Sequence, residues 1–213
     1  MTDMLVTIKE MVVGGKFKEI EEQVQAAVDS GTDLNRLINE ALISAMDIVG
    51  KRFSEGDIYV PEMLVSARTM KLGLNIIKPL LQSGEAKHRG TVAMGTVKGD
   101  LHDIGKNLVT MMMEGAGFRI IDLGVDVKID DLIDTVKKEQ VDVLGLSALL
   151  TTTMPEMQNV IEALEEAGLR NQVKVIVGGA PIDQGFADKI GADGFGADAV
   201  DAVQLARELV AEK

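Results

Sequence analysis

From residue 91 onward, short apolar runs alternate with helical patterns, and this alternation restricts the fold more than any other feature of the chain. TVAMGTV (residues 91–97), Phe118 to Leu123, Val141 to Leu146 and Val173 to Val177 read as strands, with a short fifth strand at Asp193 to Phe195. Ile104 to Gly115, Ile129 to Glu139, Met154 to Ala167 and Ala199 to Ala211 carry helical periodicity. Strands separated by helices pack as a parallel sheet with helices on both faces.

The first 82 or so residues have a different texture. Leu5, Ile8, Met11 and Val12 share one helical face, ended by Gly14-Gly15. Phe17, Ile20, Val24 and Ala27 form a second stripe, closed by Gly31. Leu34, Leu37, Ile38, Ala41, Leu42, Ala45 and Val49 form a third. Met63, Ala67, Met70, Leu74, Ile77 and Leu81 form a fourth, with Pro61 in the first turn, where its missing N–H costs nothing. The polar stretch Gln82 to Gly90 reads as a linker. The expected architecture is α/β: an N-terminal four-helix bundle cap over 1–87, then a Rossmann-like, flavodoxin-like parallel five-stranded sheet over 88–213.

Composition narrows the function. The net charge is −12, from 22 Lys+Arg against 34 Asp+Glu, which argues against nucleic acid, whose phosphates need a basic surface. There is no Cys, hence no disulfide and no thiolate metal site. No basic start with an unbroken apolar run marks a signal peptide, and no stretch approaches a membrane span. A cytoplasmic protein without a membrane partner is the expectation.

In an open parallel sheet, ligands sit beyond the carboxyl ends of the strands, where the strand order reverses. With flavodoxin-like order this is between the first and third strands. Asp100, Leu101, His102, Asp103, Ile104 and Gly105 follow the first strand. Ser147 to Thr153 follow the third, and Gly178-Gly179 the fourth. His102 is one of two His in the chain; the other, His88, falls in the linker. Asp100 can accept a proton from one ring nitrogen, leaving the other for a metal. Zinc usually needs three or four protein ligands, which are absent here. A lone imidazole suits a metal already held by a macrocycle.

On these residues the chain resembles the corrinoid-binding family of cobalamin-dependent methyltransferases. The family motif D-x-H-x-x-G, S-x-L, G-G reads here as Asp100-x-His102-x-x-Gly105, Ser147-x-Leu149 and Gly178-Gly179, with gaps of forty-one and twenty-eight residues. RFSEGDIYVPEMLVSA, with Phe53, Val60, Pro61 and Met63, is similar to the cap bundle of methionine synthase. The resemblance covers nearly the whole chain and is nearest to stand-alone corrinoid proteins of anaerobic methyl-transfer systems.

The resemblance implies cobalamin as cofactor, with His102 as lower axial cobalt ligand in place of the cofactor's own base. Asp100 and Thr153 would complete a proton relay; Thr153 stands where methionine synthase has Ser. Ser147, Leu149 and Thr151 would line the channel of the displaced nucleotide tail. Gly105, Gly178 and Gly179 would let backbone approach it, with Asp103, Ile104, Phe195 and Gly196 alongside. Phe53, Val60 and Met63 would shield the upper face. The implied activity is methyl carriage between Co(I) and methyl-Co(III), with a donor-specific methyltransferase, an acceptor methyltransferase and a reductive activator of Co(II) as partners. No donor or acceptor domain is fused to the chain, so a carrier subunit rather than a complete enzyme is expected.

Other readings stay open at this level. Thr153 with Glu156 three residues later forms a capping-box pattern. Gly178-Gly179 fits a plain strand-end turn. Phe53, Val60 and Met63 fit bundle core, Met111 to Met113 fit helix packing, and Lys106-Asn107 fit ordinary first-turn positions. As a whole, the chain competes with a cobalamin-responsive sensor, the carrier half of an adenosylcobalamin mutase and a flavodoxin-like FMN protein.

Overall fold

The structure is a computed structural model that describes residues 4–80 and 88–211. Most of the linker expected at Gln82 to Gly90, and Leu81 of the fourth stripe, lie outside the described residues. Two compact units emerge: residues Met1–His88 with Gly115–Gly117, and Arg89–Glu114 with Phe118–Lys213.

The helical unit contains α1 (Met4–Val13), α2 (Ile20–Asp29), α3 (Leu34–Arg36), a π-helical segment (Leu37–Ile43), α4 (Ser44–Ser54) and α5 (Val60–Ile77), followed by a 3₁₀ turn (Lys78–Leu80). α3, the π segment and α4 form one uninterrupted helical run, so the third helix continues five residues past its last predicted apolar position and carries Phe53. Asp33 starts the run by accepting the Arg36 N–H at 2.9 Å, which satisfies one orphan donor of the first turn. At the start of α5, Glu62 accepts the Tyr59 N–H at 2.7 Å. α1 and α5 each pack on α2 and α4 and on each other, and Leu5, Ile8, Val12, Ile20, Val24, Leu42, Val49, Met63 and Met70 fill the interior. Four predicted core positions, Phe17, Leu34, Ile38 and Leu74, are only half-buried; beside Leu74 the buried place goes to Gly73. A Cβ there would lie 3.2–3.3 Å from Leu42, Ile20 and Val24, so backbone approach replaces a leucine contact.

The second unit contains β1 (Thr91–Thr96), α6 (Ile104–Gly115), β2 (Arg119–Asp122), α7 (Ile129–Glu139), β3 (Val143–Ser147), α8 (Pro155–Glu166), β4 (Lys174–Gly178), α9 (Gln184–Ile190), β5 (Gly194–Gly196) and α10 (Ala199–Ala211). Its sheet is parallel throughout, in the order β2-β1-β3-β4-β5. β3 is buried along its whole length and β1 beyond its first residue, as strands covered on both faces must be. Among the described residues no helix is long and apolar enough to cross a membrane.

α9 is absent from the sequence reading. Its seven residues are too short for periodicity to register, yet its ends are marked. Asp183 accepts the Phe186 N–H at 2.7 Å, and Gly191 closes the helix at φ 74. Asp183→Ala is expected to lower the stability of the sheet unit by about 1 kcal/mol, read as a shift in its denaturant midpoint. An unchanged midpoint would show that α9 is held by packing alone.

Candidate functional site

The site is built on the ends of β1 and β3. After β1 the chain turns at Val97–Asp100, with Gly99 at φ 80 and the Asp100 N–H on the Val97 carbonyl at 3.1 Å. The positive φ at the third turn position is why glycine stands there. Two further bonds fasten this loop: Gly99 N–H to the Asp126 carboxylate at 2.7 Å, and the buried Thr96 hydroxyl to the His102 carbonyl at 2.9 Å.

Asp100, 2% exposed, is the hub. One oxygen accepts His102 Nδ1–H at 2.7 Å and the His102 backbone N–H at 3.3 Å. The other accepts the Leu149 N–H at 2.8 Å, the Leu150 N–H at 3.2 Å and the Thr153 hydroxyl at 2.8 Å. Thr153 Oγ1 also lies 2.9 Å from the Leu150 carbonyl, but its single proton favours the charged acceptor. Burial pushes the Asp100 carboxyl up, and the bonds from His102, Leu149 and Thr153 outweigh it, holding the group well below the usual carboxylate range. The carboxylate is therefore ionised and accepts only, which places the ring proton on Nδ1.

His102 Nε2 is not free. Ser147 Oγ lies 2.9 Å from it, and with the proton on Nδ1 this nitrogen accepts the serine O–H. The sequence reading left it unpartnered because Ser147, the last residue of β3, comes within reach only through strand pairing. The capping box read at Thr153 and Glu156 does not form either. α8 begins at Pro155 with Met154 as its cap residue, and the Thr153 side chain is spent on Asp100.

The other predicted residues fall as follows. Thr96, Ser147, Gly178 and Gly196 occupy one row of the ladder across β1, β3, β4 and β5. Gly179 sits at φ 130, where a Cβ would lie 1.9 Å from the Ala148 carbonyl oxygen, and one at Gly178 would lie 3.0 Å from that of Gly196. Those two glycines are demanded by the strand ends themselves. Gly105 is not: a Cβ there would meet nothing within 4 Å. Thr151 is exposed and takes no part in the Asp100 network, and Asp103 receives the Asn107 side-chain amide at 3.1 Å. Phe195 is half-buried against the sheet core. In the helical unit Phe53 is half-buried near the end of α4, Val60 is 39% exposed at the start of α5, and Met63 is fully buried.

Two features escaped the sequence reading. Lys106, 2% exposed, donates to Asp122 at 2.6 Å and to Asn107 at 2.7 Å, tying α6 to the end of β2. Its partner lies sixteen residues away, so no local signal reveals it. Leu101 (74% exposed) and Leu150 (48%) join Ile104 (84%), the first residue of α6, and Leu149 (47%) as exposed apolar side chains on the segments that hold the His102–Asp100 pair. Exposed apolar groups gathered at a polar centre mark a ligand surface.

Among the described residues no group of three or more His, Asp or Glu side chains is placed to hold a bare metal ion. One imidazole with its tautomer set, on segments that also expose leucine and isoleucine, has the donor chemistry for a flat apolar ring system that brings its own metal. The residues fit a corrinoid.

Because the folded-state Asp100 is the stronger acid, its bonds add stability above the unfolded carboxyl value of about 4. That stability fades as pH falls from there. Asp100→Asn is expected to cost most above pH ~5 and progressively less below pH ~4, measured as denaturant midpoints of both proteins across pH. A constant difference would assign Asp100 an uncharged role.

The comparisons with known proteins point to the same class of ligand. Two family profiles match, each described as a B12 binding domain, one over residues 90–204 and the other over residues 5–78. A corrinoid protein of Desulfitobacterium hafniense (strain Y51) is 39% identical over 210 residues, 97% of each chain. The trimethylamine corrinoid protein of Methanosarcina barkeri is 40% identical over 203 residues, 94% of each. Among solved structures, a chain of the methanol:cobalamin methyltransferase complex from Methanosarcina barkeri superposes with a TM-score of 0.90 at 32% identity, covering 100% of this chain and 81% of that one. The chain belongs to the B12-binding corrinoid proteins of anaerobic methyltransferase systems, a family whose cofactor is a corrinoid.

Proposed function

We propose that this protein is a methyl carrier that holds cobalamin through His102 as the lower axial ligand. The observation that carries the reading is the 2.7 Å bond from His102 Nδ1 to a buried, ionised carboxylate. It fixes the ring's tautomer and orientation, makes Nε2 the more basic and directs it to ligand duty, as second-shell carboxylates do for metal-bound histidines. A bound corrinoid supplies a cobalt centre able to take up and release a methyl group. The chain's residues do the rest. Asp100 holds the ring, and Thr153, donating to its other oxygen at 2.8 Å, helps hold Asp100. Leu101, Ile104, Leu149 and Leu150 would offer apolar surface to the macrocycle and exclude water from it. The strand-end row from Ser147 to Gly196 would receive the nucleotide tail. Partners would be a methyltransferase that loads the methyl group, one that accepts it and a reductive activator. A sensor role would use the same cofactor contacts but would not turn over methyl groups.

Reconstitution with hydroxocobalamin should give about one equivalent retained after removal of free cofactor. His102→Ala should retain it poorly and shift the visible spectrum. An unchanged spectrum in the variant would end the axial assignment. Gly105 supplies an independent check. The fold gives no reason for glycine there, and glycine inside a helix costs about 0.5–1 kcal/mol relative to alanine. Gly105→Ala should therefore raise the stability of the cofactor-free protein by about that amount and weaken corrinoid retention by about tenfold, as expected for a methyl group forced into a filled contact. Unimpaired retention would show that the cofactor does not approach this turn.

A further inference from the structure

We propose that Ser147 competes with cobalt for His102: it is the protein's own partner for the imidazole whenever the ring is off the metal, and it must let go before the ring can bind. This rests on the cobalamin reading above.

The competition is for a single lone pair. Asp100 accepts the Nδ1–H at 2.7 Å together with four other donors, so the ring keeps its proton on Nδ1. With the proton on Nδ1, the in-plane lone pair available to a partner is the one on Nε2. Ser147 Oγ at 2.9 Å donates to it. Metal coordination uses the same lone pair, so the two bonds exclude each other. Imidazole can be on the serine or on the metal, never both.

The surroundings confine this exchange to side chains. Ser147 ends β3 and is 8% exposed. Its backbone is held in register with Thr96 and Gly178, and its carbonyl accepts the Val97 N–H at 3.0 Å. The His102 backbone is pinned by Thr96 at its carbonyl and by Asp100 at its N–H. Rotation of the serine hydroxyl and a small tilt of the ring therefore suffice. Two consequences follow. The ring returns to a defined position when it leaves the metal, instead of sampling solvent. The released hydroxyl becomes a donor for an acceptor on the incoming ligand, so a corrinoid with its nucleotide tail can recover the bond that coordination breaks. One without the tail cannot.

That asymmetry is the test. Cobinamide, which has the ring and cobalt but no nucleotide tail, should bind cofactor-free Ser147→Ala about three- to tenfold more tightly than wild type, the net worth of one hydrogen bond. Hydroxocobalamin should bind the variant no more tightly than wild type, because the tail contact is lost as well. Cobinamide affinity unchanged or weakened in the variant, while wild type retains hydroxocobalamin, would overturn the competition and leave the cobalamin reading standing. Failure of wild type to retain either corrinoid would overturn both. A second measurement needs neither the variant nor the cofactor. The chain has two His, so ¹⁵N spectra of labelled wild type resolve two imidazoles. The inference requires the His102 proton on Nδ1 and an Nε2 shift typical of a hydrogen-bond acceptor. A proton on Nε2, donated to Ser147, would overturn it.

Discussion

The Asp100 carboxylate is the interaction on which the site depends. A buried charge is costly unless every lone pair is met by a donor, and this one is met five times, from two loops forty-nine to fifty-three residues apart in sequence. Satisfying it draws the β3–α8 loop onto the β1–α6 loop. It also settles the chemistry of His102, because an ionised acceptor at Nδ1 leaves Nε2 with the lone pair. Shape and reactivity of the crevice thus have a common electrostatic origin.

The sheet makes that interaction possible. In the order β2-β1-β3-β4-β5 the chain reverses direction of growth at the β1–β3 boundary, and the loops that leave those strands part to opposite faces. Beside the opening, Thr96, Ser147, Gly178 and Gly196 share one ladder row. Hydroxyls stand at the end nearer His102, and bare backbone at the other. Leu101, Ile104, Leu149 and Leu150 then place apolar surface next to a polar floor. This is the combination that a corrin ring with a polar tail requires.

Much of this was legible in the residues. The bounds of α6, α7 and α10 agree with their periodicity, since amphipathic helices of eleven to thirteen residues repeat the pattern enough times to define both ends. The corrinoid motif located Asp100, His102, Ser147 and the glycine pair. Where the reading failed, a local signal was answered by a distant partner. Thr153 and Glu156 spell a capping box, but the charge of Asp100 outbids the backbone for the Thr153 hydroxyl. Lys106 looks like a solvated first-turn residue, yet it is buried on Asp122. Leu74 completes a helical stripe, but close approach of α5 to its neighbours reserves the buried place for Gly73.

By itself, then, the sequence determined the order and type of the elements, the parallel sheet and the corrinoid family. All of these are carried by residues within one or two turns of each other, or by motifs whose spacing is countable. Only the tertiary structure decided which nitrogen of His102 is pinned and which is held by Ser147. It alone showed that Gly178 and Gly179 are required by neighbouring strands while Gly105 is left open, and that Leu101, Ile104, Leu149 and Leu150 are exposed. Those outcomes depend on contacts between segments distant in sequence, which come into being only when strand register brings β1, β3, β4 and β5 side by side.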